Sequence, residues 1–129
     1  MQKIIIDGGK KLKGTIKVSG AKNSAVALIP AALLSSEIVK IDNVPDISDV
    51  KALEDILEFL GAKVTREGSL MTIDSSNVVS KEIPRDLSNK LRASYYFMSA
   101  LLGRFKDVTM YFPGGCSIGA RPIDQTLKG

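Results

Sequence analysis

Asp46-Ile47-Ser48-Asp49-Val50-Lys51-Ala52-Leu53-Glu54-Asp55-Ile56-Leu57-Glu58-Phe59-Leu60-Gly61 is followed directly by Ala62-Lys63-Val64-Thr65-Arg66-Glu67-Gly68-Ser69-Leu70-Met71-Thr72-Ile73. The first run has a helical period. Ile47, Val50, Leu53, Leu57 and Leu60 fall on one stripe, and the acids Asp46, Asp49, Glu54, Asp55 and Glu58 read as its solvated surface. Asp46-Ile47-Ser48-Asp49 offers two candidate N-caps, acids in the first turn suit the helix dipole, and Gly61 stops the helix. The second run has a period of two, and it reads as a hairpin of Ala62 to Arg66 and Ser69 to Ile73 around Glu67-Gly68. A helix running into a hairpin sets the class: helices packed on a sheet, α/β or α+β.

Working outward toward the N-terminus, Glu37 to Ile41 is a short strand. The Ala- and Leu-rich segment from Lys22 to Ser35 is a helix, apolar nearly all round, with Pro30 expected to kink it or shift its start. Before it, Lys3 to Ile6 and Lys13 to Val18 read as two strands around Gly8-Gly9. Toward the C-terminus, a polar connection from Asp74 to Asp86 holds Pro84. A third helix spans Leu87 to Gly103 with Leu87, Leu91, Tyr95, Met98 and Leu102 on its core face. Lys106 to Tyr111 is a strand. Arg121-Pro122 then opens a further helix beginning Ile123-Asp124-Gln125-Thr126. That last pattern is interrupted at Gly129, so the chain reads as the N-terminal piece of something larger.

Composition narrows the chemistry. The 129 residues, 44% apolar and 25% charged, fit one ordinary domain. No stretch approaches the ~20 apolar residues of a membrane span, and no signal peptide is evident at the start. A single cysteine cannot form an internal disulfide and points to a reducing compartment. With no histidine, a Ser-His or Cys-His pair within the chain is excluded, and a structural zinc site has too few ligands. The net charge of +4 is uneven. Lysines dominate up to Lys22, and acids dominate from Asn23 to Leu60. The lysines are interspersed with apolar residues, and aromatics are only 5%, so small anionic ligands suit the pattern better than nucleic acid.

Three segments can carry chemistry. Ser19-Gly20-Ala21-Lys22-Asn23 joins a strand to a helix. Its glycine lets a ligand approach, the helix start presents N–H groups, and Lys22 adds a charge, which together suit a phosphate or carboxylate. It lacks P-loop spacing, and Lys22 can equally be a solvated lysine. Arg92 lies near the core stripe of the third helix, where it can pair with an acid such as Asp86 or snorkel; Arg85, Lys90 and Arg104 look like surface charge. The third segment is Pro113-Gly114-Gly115-Cys116-Ser117-Ile118-Gly119-Ala120-Arg121-Pro122. Its glycines pack poorly and expose backbone N–H, and Arg121 supplies fixed charge, conditions that favour a reactive thiolate at Cys116 over a buried, inert thiol.

These segments, with Leu91-Arg92-Ala93-Ser94, Asn43-Val44-Pro45 and Leu60-Gly61-Ala62-Lys63-Val64, closely resemble the UDP-N-acetylglucosamine enolpyruvyltransferase (1-carboxyvinyltransferase) family from Met1 to Gly129. The sister shikimate-pathway enolpyruvyltransferase lacks the cysteine loop. The resemblance implies a two-domain enzyme about three times this length, each domain an inside-out α/β barrel of βαβαββ repeats. Residues 1–21 would be strands of the second domain, and residues 22–129 an incomplete part of the first barrel domain. It further implies transfer of the enolpyruvyl group of phosphoenolpyruvate to the 3-hydroxyl of UDP-N-acetylglucosamine with release of phosphate. That is the first committed step of peptidoglycan synthesis, in the bacterial cytoplasm, and it needs no cofactor or metal. Carried over by position, Lys22, Asn23 and Arg121 would bind phosphoenolpyruvate. Arg92, Arg121, Pro122, Ile123, Asp124 and Gln125 would bind the nucleotide sugar. Cys116 would be the general acid, able to form an adduct with phosphoenolpyruvate and to be alkylated by fosfomycin. An aspartate and further arginines come from downstream in the family, so the piece alone is expected to be inactive. Its unpaired sheet edges invite self-association. A non-catalytic binding or assembly module with the same fold remains the alternative.

Overall fold

The computed structural model describes residues 3–112 and 123–128. The Ala- and Leu-rich segment forms α1 (Lys22–Ala31) and tightens into a 3-10 turn, Ala32–Leu34. Pro30 lies inside α1 and is buried, and the helix ends one residue later. With no N–H, Pro30 cannot bond back to the Val26 carbonyl, so the last turn of α1 lacks one helical bond. Strand β1 (Ile38–Ile41), helix α2 (Ser48–Leu60) and strands β2 (Lys63–Glu67) and β3 (Leu70–Asp74) follow.

Helix α2 is close to the sequence reading. Val50, Leu53, Leu57 and Leu60 are fully buried. Gly61 ends the helix at φ 104°, with Gly61 N–H on the Glu58 carbonyl at 3.0 Å and Ala62 N–H on the Leu57 carbonyl at 2.9 Å. These two bonds form a Schellman motif, whose left-handed residue favours glycine. Two expectations need correction. No side chain caps α2; extended Ile47 precedes it, and Ser48 is already helical. Glu54 is 7% exposed and belongs to the interior, because Arg66 Nη1 reaches its Oε1 at 3.3 Å and Lys51 Nζ its Oε2 at 3.4 Å. A paired carboxylate can be buried where a lone one could not.

β3 is the central strand and runs antiparallel to both β1 and β2. Ile73 faces Val39 on one side and Val64 on the other, and Met71 faces Ile41 and Arg66. Those residues form the inner face against the helices, and Lys40, Thr72 and Thr65 form a row on the outer face. The hairpin turn is Gly68-Ser69, one residue later than read. Gly68 has φ 61° at the first turn position, where glycine is favoured.

The third helix is broken. α3 (Arg85–Lys90) stops at Leu91, which is extended at φ −146° and ψ 132°. A 3-10 turn, Arg92–Tyr95, then leads into α4 (Tyr96–Phe105). The buried set is Ser88, Leu91, Ser94, Phe97, Ala100 and Leu101, and Leu102 from the expected stripe is exposed. The strand expected at Lys106 to Tyr111 reduces to one parallel bridge between Ile83 and Met110. The strands read at Lys3 to Ile6 and Lys13 to Val18 are not formed either. Residues 3–18 are exposed coil and hydrogen-bond to no described strand, so their backbone groups are left to water and no ladder holds them extended. Helix α5 (Asp124–Lys128) falls within the helical pattern read from Arg121-Pro122 onward. The result is a mixed α/β unit with α1 packed against α2 and α4, and one sheet face toward the helices.

Candidate active site

The start of α1 is fixed by a backbone contact. A Cβ added to Gly20 would lie 1.6 Å from the Asn43 carbonyl oxygen, so no side chain fits there. Asn43 itself sits at φ 55°, a left-handed conformation that asparagine tolerates. Val44 N–H donates to the Ser69 carbonyl at 2.9 Å, and Arg66 Nη2 donates to the Val44 carbonyl at 3.0 Å. The hairpin therefore holds the Asn43-Val44 loop, and the loop holds Gly20. Two of the sequence segments thus meet in space. Gly20, Ala21, Ser24, Asp42 and Asn43 help line a cleft of about 220 Å³.

One residue on from Ala21, Lys22 opens α1. Ala21 is extended and no side chain caps the helix, and the first turn of α1 contains no acid. Lys22 Nζ instead pairs with Asp49 Oδ2, in the first turn of α2. The Lys22 side chain remains 56% exposed and that of Asp49 24%. Asn23 is exposed beside it.

Asp49 and Asp55 both line a second cleft, of about 350 Å³, together with Ser48, Lys51 and Lys90. Lys90 Nζ lies 3.0 Å from Asp55 Oδ2, and Lys51 Nζ lies 3.5 Å from Oδ1. The hydrogen bond from Lys90 holds the Asp55 carboxyl below the ordinary carboxylate range, assisted by the charges of Lys90 and Lys51. The hydrogen bond to Glu54 raises the Lys51 ammonium above its usual value. Lys22 is thus tied to one end of this helical flank, and Lys90, two residues before Arg92, to the other. Asp55 stands six positions after Asp49 on the same helix, about 9 Å along the axis.

The break after α3 explains Leu91-Arg92-Ala93-Ser94. Ser94 Oγ donates to the Ser88 carbonyl at 2.9 Å and Ser94 N–H to the Leu91 carbonyl at 3.1 Å. With Leu91 buried as an anchor, the serine closes the junction and Arg92 becomes the first residue of the 3-10 turn, half-buried. Tyr95 and Tyr96 stack at 4.4 Å just beyond. The hydrogen bond to Tyr96, then burial, raises the Tyr95 phenol, and the Arg92 charge acts in the opposite direction.

Ile123 is half-buried, and Asp124 and Gln125 begin α5, exposed. Cys116, Arg121 and Pro122 lie outside the described residues. The structure therefore brings Lys22 and Asn23 to one helix start and places Arg92 at a helix break. Sequence reasoning missed Asp49 as the partner of Lys22, because the two stand 27 positions apart and Asp49 alone reads as an ordinary first-turn acid. It also took Arg104 for surface charge. Arg104 donates to the carbonyls of Leu33 at 2.9 Å, Ser35 at 3.1 Å and Ser75 at 3.0 Å, and so ties α4 to the turn after α1. Among the described residues, no helix is long and apolar enough to cross a membrane.

Comparisons with known proteins converge. Residues 6–129 match the family model described as EPSP synthase (3-phosphoshikimate 1-carboxyvinyltransferase). The chain is 55% identical over 130 aligned positions to UDP-N-acetylglucosamine 1-carboxyvinyltransferase 2 of Bacillus cereus (strain ZK / E33L), covering 100% of this chain and 30% of that protein. It is 54% identical over 126 positions to the enzyme of the same name from Lactococcus lactis subsp. lactis (strain IL1403), covering 96% of this chain and 30% of that one. Among solved structures, the enolpyruvyl transferase NikO from Streptomyces tendae superposes with a TM-score of 0.69 at 35% identity, over 76% of this chain and 23% of that chain. The chain thus spans about 30% of the length of the curated relatives it matches, and its mixed α/β unit resembles part of the enolpyruvyl transferase fold.

Proposed function

Since the chain belongs to the EPSP synthase family, we propose that it carries part of the active site of an enzyme that moves the enolpyruvyl group of phosphoenolpyruvate onto the 3-hydroxyl of UDP-N-acetylglucosamine, releasing phosphate. The observation that carries this reading is the start of α1. Lys22 and Asn23 sit in the first turn of a helix that no side chain caps and that has no acid of its own there, within a chain 55% identical to transferases of that name. A helix start and an ammonium together suit a phosphate or carboxylate.

In this mechanism Lys22, Asn23 and Arg121 hold phosphoenolpyruvate. Arg92, Arg121, Pro122, Ile123, Asp124 and Gln125 hold the nucleotide sugar. The thiol of Cys116 delivers a proton to the methylene carbon while the sugar 3-hydroxyl adds to the neighbouring carbon; phosphate then leaves the tetrahedral adduct as the thiolate takes a proton back from the new methyl group, which restores the double bond. Fixed cations around the phosphate stabilise the charge as it moves. The reaction needs no resident cofactor or metal. An aspartate that takes the hydroxyl proton, and further arginines, come from the remainder of the enzyme. Residues 1–21 belong to its second domain and residues 22–129 to its first. The product feeds bacterial peptidoglycan synthesis in the cytoplasm, and fosfomycin alkylates Cys116.

The test is phosphate release with both substrates, beside fosfomycin labelling read by mass spectrometry. The expected outcome is no turnover from the 129-residue chain alone, turnover from the complete enzyme, and labelling at Cys116 much faster than at a free thiol. Turnover by the isolated chain overturns the divided site. A complete protein that neither turns over nor labels is instead a binding module of the same fold.

A further inference from the structure

We infer that Asp49 is a positioning residue for phosphoenolpyruvate, acting through Lys22: it fixes the ammonium at the start of α1 before the anion arrives. The inference rests on the proposed function and goes beyond it, since Asp49 is assigned no contact with either substrate. Three observations converge. Lys22 Nζ pairs with Asp49 Oδ2, although the lysine side chain is 56% exposed and could extend freely into water. The two residues lie in the first turns of different helices, each without a side-chain cap, and Asp49 is the acid in the first turn of α2 where α1 has none. Helix α1 packs against α2, and Gly20 is locked on Asn43, so the backbone on both sides of the pair is fixed.

A lysine is a flexible stem with three donors. One donor on Asp49 leaves two for a ligand oxygen and removes most of the stem's rotamer freedom in advance, so less entropy is lost when the anion binds. A carboxylate near an anionic ligand also repels it. Here two things weaken that repulsion: the start of α2 favours negative charge at Asp49, and Lys22 neutralises it directly. Positioning therefore outweighs repulsion, and removing the carboxylate weakens binding of phosphoenolpyruvate specifically.

The experiment compares steady-state kinetics of the complete enzyme with those of its D49N, D49E, K22A and K22A/D49N variants. D49N is expected to raise KM for phosphoenolpyruvate about tenfold, or about 1.4 kcal/mol. KM for UDP-N-acetylglucosamine should stay within about twofold, since only the lysine-bound substrate feels the change. D49E should recover most of the loss, and D49N should add little in the K22A background, because the carboxylate acts only through the lysine. A fall in the KM for phosphoenolpyruvate makes Asp49 a competitor and overturns the inference. So does an equal rise for both substrates, no change at all, or a D49N effect that persists without Lys22. Wild-type turnover with an indifferent D49N removes this inference and leaves the proposed function standing. A wild-type enzyme without turnover removes both.

Discussion

Residues Met71 to Asp74 and residues Thr15 to Val18 both alternate apolar and polar side chains. The first stretch lies in the central strand of the sheet, with Met71 and Ile73 fully buried. The second is exposed coil, with Ile16 at 88% and Val18 at 82% exposure. Local propensity does not separate them, since β-branched residues occur in both. The difference is partners: β3 has a strand on each side and helices over one face, and residues 13–18 have neither. A period of two states that a segment can be a strand. Pairing and burial decide whether it is one.

The largest test of that contrast falls in β3. Ile73→Ala empties a fully buried position at the centre of the inner face and is expected to cost about 2–5 kcal/mol, read by urea unfolding of the chain. A cost under about 1 kcal/mol would mean that the sheet is not seated on the helices as described.

Next in size is Gly20→Ala, at the boundary between the two regions. The added methyl meets the Asn43 carbonyl oxygen, so either the loop or the start of α1 must move. The expected cost is about 1–3 kcal/mol in the same measurement, the usual range for overpacking. A silent substitution would show that residues up to Gly20 are as unattached as residues 3–18, which would move the boundary to Lys22.

The same reasoning explains what could be read in the sequence. Helix α2 and the β2–β3 hairpin were legible because their signals are local: a stripe, a glycine stop, a change of period. Helix α1 was legible for its composition. The break at Leu91 was not, because nothing between Leu87 and Gly103 is a helix breaker. What ends α3 is a bond from Ser94 Oγ back to Ser88 and the burial of Leu91, both outcomes of packing. Glu54 and Arg104 failed for a related reason. A charged residue is assigned to the surface by default, and only a partner far away in sequence, such as Arg66 for Glu54, allows it inside. In the candidate site the sequence supplied Lys22, Asn23 and Arg92 through resemblance. It could not supply Asp49, whose importance lies in a pairing between two helices.

The smallest expected effect is the most discriminating. Ile16→Ser in the 129-residue chain should change unfolding stability by less than about 0.5 kcal/mol, the range of ordinary surface substitutions. Ile16 touches no core, and serine even relieves exposed apolar area. If residues 1–21 serve as strands of a second domain, the same substitution in the complete enzyme meets a different setting. The side chain then has a neighbour to pack on, and its removal should cost several times more, by the loss of buried apolar area. A null effect in both backgrounds would refute the second-domain assignment. A large effect in the isolated chain would refute the claim that these residues lack a partner within it. Only the pattern of silence here and cost there is compatible with a segment whose alternation is written for a sheet elsewhere in the same protein.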